Sequence, residues 1–233
     1  MASRPIFIPN YKGEQLVKEV MVDFNWIPGM AVSQKQKNVI SLHSAAAEEG
    51  LSNILEVSTK SNNSLGIQLS AFRLKLKSDQ WGFITIESAF QGSKVFEGGG
   101  PYTDLYGKEG RQIKRDERIK KSGKLLNFDF EEDKWKLEPK TAFYDRLYIR
   151  ALMNNEEKII DHLEKYRGFT DIEFNPKKSI NCQARSCALY VSLKKRNILK
   201  DVLNNKKLFT ELLEKDSLFQ PHSRDKRQGD FLF

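Results

Sequence analysis

Several residue types and patterns are scarce in this chain of 233 residues, and each absence excludes a class of protein. No run approaches the roughly 18 uninterrupted apolar residues of a transmembrane helix. The first ten residues, MASRPIFIPN, lack the apolar stretch of a signal peptide. The two cysteines, Cys182 and Cys187, stand in one segment without a second pair, which disfavours a zinc site. We therefore expect a cytoplasmic protein with reduced thiols and no membrane segment.

The short motifs of many metal and cofactor enzymes are also absent. None of the three histidines, His43, His162 and His222, lies near acidic residues or cysteines at metal-ligand spacing. There is no Gly-x-Ser-x-Gly elbow, no Walker loop and no His-Glu-x-x-His motif. The glycines at 98–100 lack the strand and the spacing of a dinucleotide-binding fingerprint. We expect no metal and no cofactor, and cofactor-free hydrolysis is then the simplest enzyme class.

What the chain does contain is an apolar core and an excess of basic residues. Hydrophobic residues make up 39% and there are 15 Phe, so a disordered chain is excluded. The 39 basic and 31 acidic residues give a net charge of +8. Residues 108–124 hold eight Lys and Arg against three Asp and Glu, and residues 175–207 hold nine against one. Such clusters favour a polyanionic partner, and solvated helix faces are the alternative.

The pattern of elements predicts a single α+β domain, mainly helical, with a small mixed or antiparallel sheet built largely from the N-terminal half. Alternation predicts strands at residues 5–9, 16–27, 55–59, 65–76, 83–85 and 125–130. Helical spacing predicts helices at residues 33–51, 86–96, 139–153, 156–166, 184–195 and 198–213, and a further helix in the basic segment after the glycines at 98–100. Ser33 is the expected N-cap of the first helix, and Pro139 is expected in the first turn of the third. Residues 168–181 are predicted to form a loop. We divide the chain into an N-terminal strand extension (1–22), the domain (23–215) and a polar tail (216–233).

The segment at residues 86–96 is the most informative for chemistry. On a helix, Glu87, Gln91 and Lys94 are at positions i, i+4 and i+7 and so share one face. Glu87 is in the first turn, where the helix dipole favours its charged form. The three side chains could bind a polar ligand, and an exposed polar face with a weak Glu–Lys interaction is the alternative.

This segment, ESAFQGSK, resembles the signature helix of the NADAR (YbiA-like) superfamily, which follows a short strand. LGIQLSAFRL is similar to the family's strand with a Leu-Ser-Asn-Phe element, although Ala71 stands where Asn is usual. FTDIEF and NCQARSCALYVSL are similar to its late Thr-x-Asp segment and Asn-containing helix, without the Trp-Gly pair that usually follows the Asp, here Asp171. ESAFQGSKVFEGGGPYTDL and LEPKTAFYDRLYIRAL are similar to NADAR antitoxins paired with DarT-type toxins, which ADP-ribosylate guanine in DNA.

The resemblance implies a hydrolase that cleaves an N-glycosidic bond, with Glu87, Lys94 and Asp171 as catalytic residues. Glu87 would stabilise an oxocarbenium-like centre or move protons. Lys94, if desolvated by Phe90 and Phe96, could attack a ring-opened ribose through a Schiff base. Its alternative role is to hold a phosphate or Glu87 itself.

Further residues are expected to bind ADP-ribose: Gln91, Ser70, Gly100, Tyr102, Thr103, Asn181 and Arg185. Backbone amides of the glycine loop could approach a diphosphate and Tyr102 could stack on adenine; a plain helix-terminating loop is the alternative. Arg185 could equally be a surface residue. In the segment with Glu138 and Tyr144, we expect a cap and a packing residue, not catalysis.

Six basic residues are expected to contact the DNA backbone without reading its sequence: Arg111, Lys114, Arg115, Arg118, Lys177 and Lys178. The expected partners are ADP-ribosylated DNA, ADP-ribose and a cognate DarT-type toxin. Two other functions stay open. One is an N-glycosidase of a small phosphorylated ribosyl amine, as in riboflavin biosynthesis, and the other is a non-catalytic module that binds ADP-ribose or nucleic acid.

Overall fold

The computed structural model describes residues 1–155 and 162–219, without the side chains of Arg111 and Lys114. The strands are β1 (Ala2–Pro9), β2 (Val17–Phe24), β3 (Ile54–Glu56), β4 (Lys75–Ser78), β5 (Gly82–Thr85), β6 (Lys94–Phe96), β7 (Leu125–Phe130), β8 (Asp133–Trp135) and β9 (Gly168–Thr170). The helices are α1 (Val32–Glu48), α2 (Ser64–Gln68), α3 (Ile86–Gly92), α4 (Gly110–Arg115), α5 (Glu117–Lys121), α6 (Ala142–Asn154), α7 (Gln183–Lys195), α8 (Leu199–Asn204) and α9 (Lys206–Ser217). The predicted α+β class with small mixed and antiparallel sheets is confirmed.

A four-stranded sheet separates two hydrophobic clusters. Its order is β2-β1-β9-β3, with β1 antiparallel to both neighbours and β9 parallel to β3. Because side chains alternate along a strand, Ile6 faces a small cluster against α1, and the next residue, Phe7, faces the main core. Val22 joins Ile6, and Phe169 joins Phe7. Helix α1 therefore covers one face of the sheet and the main core covers the other.

Helix α7 is the centre of the main core. Its residues from Gln183 to Leu193 are all buried, as expected for a helix that is covered on every side. It packs against β1, β9 and α6. Aromatic rings extend this core. The ring centre of Phe90, on α3, lies 6.2 Å from that of Phe143 and 5.2 Å from that of Tyr144, both on α6. Burial of this aromatic layer fixes α3 relative to α6.

Two predicted elements are wrong in ways that matter for the site. Residues 65–76 are not one strand, since Asn63 accepts a hydrogen bond from Leu65 N (2.9 Å) and so caps α2, and only β4 is extended. The helix predicted at 86–96 ends at Gly92, where a Cβ atom would lie 2.6 Å from the Tyr106 ring. Lys94 is therefore the first residue of a strand, not the third residue of a helix face.

Other boundaries also differ from the prediction. Strand β9 lies inside the segment predicted to be a loop, Ala31 takes the N-cap position expected of Ser33, and Pro139 precedes helix α6. Part of the helix predicted at 156–166 lies outside the described residues, as does most of the predicted tail. Helix α9 continues through Asp216, and β1 pairs with β9 as an integral strand. The division into three segments stays a prediction.

In the described part of the chain, no helix is long and apolar enough to cross a bilayer.

Candidate active site

Helix α3 presents Glu87 and Gln91 together. Thr85 caps the helix by accepting a hydrogen bond from Ser88 N (3.2 Å), which places half-buried Glu87 in the first turn. One turn later, Gln91 Nε2 donates to Glu87 Oε1 at 3.3 Å. Because the amide nitrogen faces the carboxylate, Gln91 Oε1 points away, and this oxygen is buried without a hydrogen-bond partner among the described residues. The pair therefore leaves one acceptor available to a ligand.

Lys94 reaches the same region from strand β6. Its side chain is only 3% exposed, and Nζ lies 5.1 Å from the centre of the Phe90 ring. Burial lowers the pKa of Lys94 to about 8, although the Glu87 carboxylate opposes this shift. A substantial fraction of the side chain is thus a neutral amine near physiological pH, roughly one in ten at pH 7.

Asp171 is joined to Glu87 through a chain of hydrogen bonds. Its Oδ2 accepts from Gln183 Nε2 (3.0 Å), and Gln183 Oε1 accepts from Ala71 N (2.7 Å). Ala71 O in turn accepts from Glu87 N at 3.0 Å. The Asp171 carboxylate is buried, and burial raises its pKa. The structure therefore brings Glu87 and Asp171 to the two sides of one turn, at residues 70–72.

Ser70 belongs to this turn but is completely buried. Its Oγ accepts a hydrogen bond from Phe72 N (3.3 Å), and its carbonyl oxygen accepts from Leu74 N (2.8 Å). The structure thus places Ser70 within the turn that holds Ala71.

Two residues near the site cannot be identified from local sequence patterns. Gln183 bonds to Asp171 and to Ala71, and nothing in the local sequence indicates this bridge. Tyr144 was expected only to pack. It does pack against Phe90, but burial and then the carboxylates of Glu87 and Asp171 raise the pKa of its phenol well above the usual value.

The glycine loop after β6 is packed against the strand that carries Lys94. Gly100 has a φ of +107°, and a Cβ atom there would lie 2.2 Å from Lys94 O. Tyr102 stacks on Phe96 at 6.3 Å and its hydroxyl bonds to Ser122. Thr103 is exposed. Gly100 is thus required by close backbone packing, and Tyr102 is already engaged by protein groups.

Arg185 and Asn181 have different surroundings. The Arg185 guanidinium is 4% exposed and pairs with Asp145 (2.5 Å) and Asp216 (2.6 Å). Burial opposes the charge of Arg185, but the two carboxylates outweigh it and raise the pKa. Arg185 therefore ties α7 to α6 and α9, and its expected contact with ADP-ribose stays a prediction. Asn181 Oδ1, like Gln91 Oε1, is buried and has no hydrogen-bond partner among the residues that the structure describes.

The predicted DNA-contacting residues fall on two surfaces. Arg111 and Lys114 lie in α4, with side chains outside the described part, and Arg115 is exposed at its end. Arg118 is held by Asp104 (2.8 Å) and Asp116 (2.7 Å), and its guanidinium lies 4.6 Å from the Tyr102 ring centre. Lys177 and Lys178 are exposed on the segment that follows Asp171.

Within residues 1–155 and 162–219, no cluster of three or more His, Cys, Asp or Glu side chains could hold a metal ion. Cys182 and Cys187 are buried free thiols, and burial raises the pKa of both. The described groups that the site brings together for chemistry include Glu87, Asp171, Lys94 and the side-chain amides of Gln91 and Gln183.

The model of a family described as the DarT1-associated NADAR antitoxin matches residues 2–223. Comparison with curated proteins gives no match.

Proposed function

Since the chain belongs to the family of DarT1-associated NADAR antitoxins, we propose that it is a hydrolase that removes ADP-ribose from guanine bases in DNA. The bond to be broken joins the anomeric carbon of the ribose to the amino nitrogen of guanine. Water supplies a hydroxyl group to ADP-ribose and a proton to the base. The observation that carries the proposal is the desolvated Lys94 amine beside Phe90, in the same site as Glu87 and Gln91.

Lys94 has two possible roles in this reaction. As a nucleophile, its neutral amine adds to the imine of the ring-opened ribosyl guanine, the guanine amine leaves with a proton, and water then hydrolyses the Lys94 Schiff base. As an electrostatic group, its protonated form holds Glu87 or a phosphate. The lowered pKa of Lys94 favours the first role, because it supplies the neutral amine at physiological pH.

The two carboxyl groups suit different tasks. Glu87 is half-buried at a helix N-terminus, where the dipole favours its ionised form, so it can stabilise positive charge at the anomeric carbon. Burial raises the pKa of Asp171, so a protonated fraction persists closer to neutral pH and can supply the leaving amine with its proton.

The two unpaired amide oxygens fit the ligand's donors. Gln91 Oε1 and Asn181 Oδ1 are buried acceptors, and an unpaired buried acceptor has a cost of about 1–3 kcal/mol that a bound donor would remove. Ribose hydroxyls and the N–H groups of guanine are donors of this kind. These two amides therefore extend the site to the sugar or the base.

The partners follow from this chemistry. The substrate is ADP-ribosylated DNA, the released product is ADP-ribose, and the cognate DarT-type toxin is the enzyme whose modification is reversed. We place this activity in the cytoplasm.

The test is turnover of an oligonucleotide that carries one ADP-ribosylated guanine. Wild type is expected to release the unmodified oligonucleotide, whereas Glu87→Ala and Lys94→Ala lose at least about a hundredfold in rate. Exposed Glu14→Ala and Lys18→Ala are matched controls and should keep wild-type turnover. Full turnover by Lys94→Arg would exclude the covalent role, since a guanidinium is not a nucleophile.

The same assay separates the other functions. Protection from the toxin by Glu87→Gln without turnover would favour a binding module. Turnover of a small phosphorylated ribosyl amine, with no DNA affinity at moderate salt, would favour the small-molecule glycosidase.

A further inference from the structure

Glu56 is a buried carboxyl group that the mechanism above does not use. It is the last residue of β3, which runs parallel to β9 with Glu56 opposite Thr170. The carboxyl ends of parallel strands meet at one edge of a sheet, so Glu56 lies beside the segment that continues from β9 into Asp171. Its side chain is 2% exposed, so its neighbours and not water determine whether the carboxyl group is ionised.

Three donors surround the Glu56 carboxyl group, and two of them flank Asp171. Thr170 Oγ1 donates to Oε2 at 2.7 Å, and Ile172 N donates to Oε1 at 2.9 Å. The third donor is Ser58 Oγ, at 2.6 Å from Oε1. One side chain thus holds both neighbours of Asp171 in the chain.

The Thr170 hydroxyl extends this network to His43 of α1. His43 Nε2 lies 2.8 Å from Thr170 Oγ1. A hydroxyl has one proton, so when Thr170 donates to Glu56 it must accept from His43 Nε2–H. Burial lowers the pKa of His43 to about 4, which keeps this ring neutral at physiological pH. The network therefore places no positive charge on Glu56.

The two carboxyl groups influence each other directly. Burial first, and then the negative charge of Asp171, raise the pKa of Glu56. The other titratable or charged groups around the pair are Arg4 of β1, His43 of α1, Tyr144 of α6, Glu173 after β9 and Cys182 before α7. Two carboxyl groups that interact in a desolvated region do not both ionise readily.

We propose that Glu56 is a positioning residue for Asp171: it holds the residues on both sides of Asp171 by hydrogen bonds and forms a buried carboxyl pair with it. The inference rests on the proposed function only where it assigns chemistry to Asp171. It explains why the site tolerates a second buried acid that contacts no expected substrate group. Glu56 keeps the Asp171 carboxyl directed at Gln183.

The first experiment measures the pair without catalysis. Side-chain carboxyl resonances are followed by ¹³C NMR through a pH titration of wild type, Asp171→Asn and Glu173→Gln. Removing the Asp171 charge should lower the titration midpoint of Glu56 by about one pH unit, and Glu173→Gln should change it much less. An unchanged Glu56 midpoint in Asp171→Asn would overturn the carboxyl pair.

The second experiment tests positioning in the oligonucleotide assay. Glu56→Ala should lower kcat at least about tenfold with KM within about threefold, because Asp171 moves while the ligand contacts remain. Glu56→Gln should recover most of kcat, because an amide can replace both hydrogen bonds. Its oxygen accepts from Ile172 N, and its nitrogen donates to Thr170 Oγ1. The Thr170 hydroxyl then donates to His43 Nε2. Ser58→Ala removes a donor outside the 170–172 segment and should stay near wild type.

The outcomes separate the two proposals. A folded Glu56→Ala with wild-type kcat, or with equal losses in kcat and in ADP-ribose affinity, overturns the positioning role. If Glu56→Ala does not fold, the NMR titration decides. If wild type does not turn over the oligonucleotide, the proposed function fails, and the titration still decides whether Glu56 and Asp171 form a pair.

Discussion

Lys94 combines a cost in stability with a chemical use. Its ammonium is 3% exposed, and its folded-state pKa of about 8 lies below the ordinary value of 10.5. The folded protein therefore binds this proton more weakly than the unfolded chain does, so the protonated lysine destabilises the fold at neutral pH. Positions that lower stability and carry chemistry are expected at functional sites.

Lys94→Met should accordingly stabilise the protein by about 2 kcal/mol at pH 7, because it removes a desolvated charge and keeps the length of the side chain. The gain should shrink as the pH rises above about 8, where the folded-state lysine loses its proton. Urea unfolding at pH 7 and pH 9.5 measures both effects, with exposed Lys18→Met as control. A destabilised Lys94→Met would indicate that the ammonium stabilises the fold.

Gly100 is a second residue whose identity the site depends on. With φ at +107° and a Cβ position 2.2 Å from Lys94 O, Gly100→Ala should cost more than about 2 kcal/mol and displace the Lys94 backbone. Gly13, with φ at +72° and no atom within 4 Å, is the matched control, and Gly13→Ala should cost about 1 kcal/mol from backbone strain alone. Thermal unfolding compares the two variants, and equal costs would contradict the clash at Gly100.

At the scale of elements, the ion-pair network around Arg185 holds several segments in place. Asp216 of α9 accepts from Arg185 Nη2 (2.6 Å) and from the backbone N–H groups of Leu16 (2.6 Å) and Val17 (3.1 Å). Arg185 also binds Asp145 of α6. The network thus joins the start of β2 to three helices.

Asp216→Asn should destabilise the protein by about 3–5 kcal/mol, because the guanidinium loses a fully buried counter-charge. Urea midpoints are compared with those of Asp201→Asn, which changes an exposed carboxylate on α8 and should be neutral. Matching midpoints for the two variants would show that Asp145 alone neutralises Arg185.

The elements also show which parts of the fold the sequence could predict. Strands β1, β2, β5 and β7 and helices α1 and α7 follow from alternation, helical spacing and length. Strand β9 could not be predicted, because its pairing with β1 and β3 is entirely non-local. The end of α3 depends on Tyr106 closing over Gly92, a contact between distant residues.

The site was only partly predictable for the same reason. Glu87 and Gln91 share a short local helix, so their neighbourhood follows from spacing. Lys94 is in the site for a different reason, the turn from α3 into β6. Gln183 and Glu56 bond across more than a hundred residues of chain, to Ala71 and Thr170 respectively, and no local pattern reveals such partners.

At the scale of the whole molecule, the net charge of +8 is distributed unevenly. Arg118 is already paired with Asp104 and Asp116, whereas Lys177 and Lys178 are exposed on the segment that follows Asp171. Contacts to a DNA backbone are therefore expected mainly at the second surface, where they place the strand beside the buried carboxyl groups.

A variant with both Lys177→Ala and Lys178→Ala should weaken DNA binding uniformly across sequences and reduce the salt slope of binding by about 2. Lys12→Ala is the control, because Lys12 lies far from Asp171. The Lys12 carbonyl oxygen binds Arg196, just beyond the C-terminal end of α7, whereas Asp171 binds Gln183 at its N-terminal end. The two ends of this helix are about 20 Å apart. Fluorescence anisotropy from 50 to 200 mM salt measures the slopes. Parallel slopes for all three proteins would exclude this surface.

The Ala71 backbone has a mechanical consequence. Its N–H donates to Gln183 Oε1 on one side, and its C=O accepts from Glu87 N on the other, so Glu87 and the amide that binds Asp171 are both bonded to this one residue. Displacement of Gln183 or of Glu87 must therefore rotate the Ala71 backbone and shift the other residue. The main chain at Ala71 thus sets the distance between the Glu87 and Asp171 carboxyl groups. A ligand cannot increase this distance by moving only one of them.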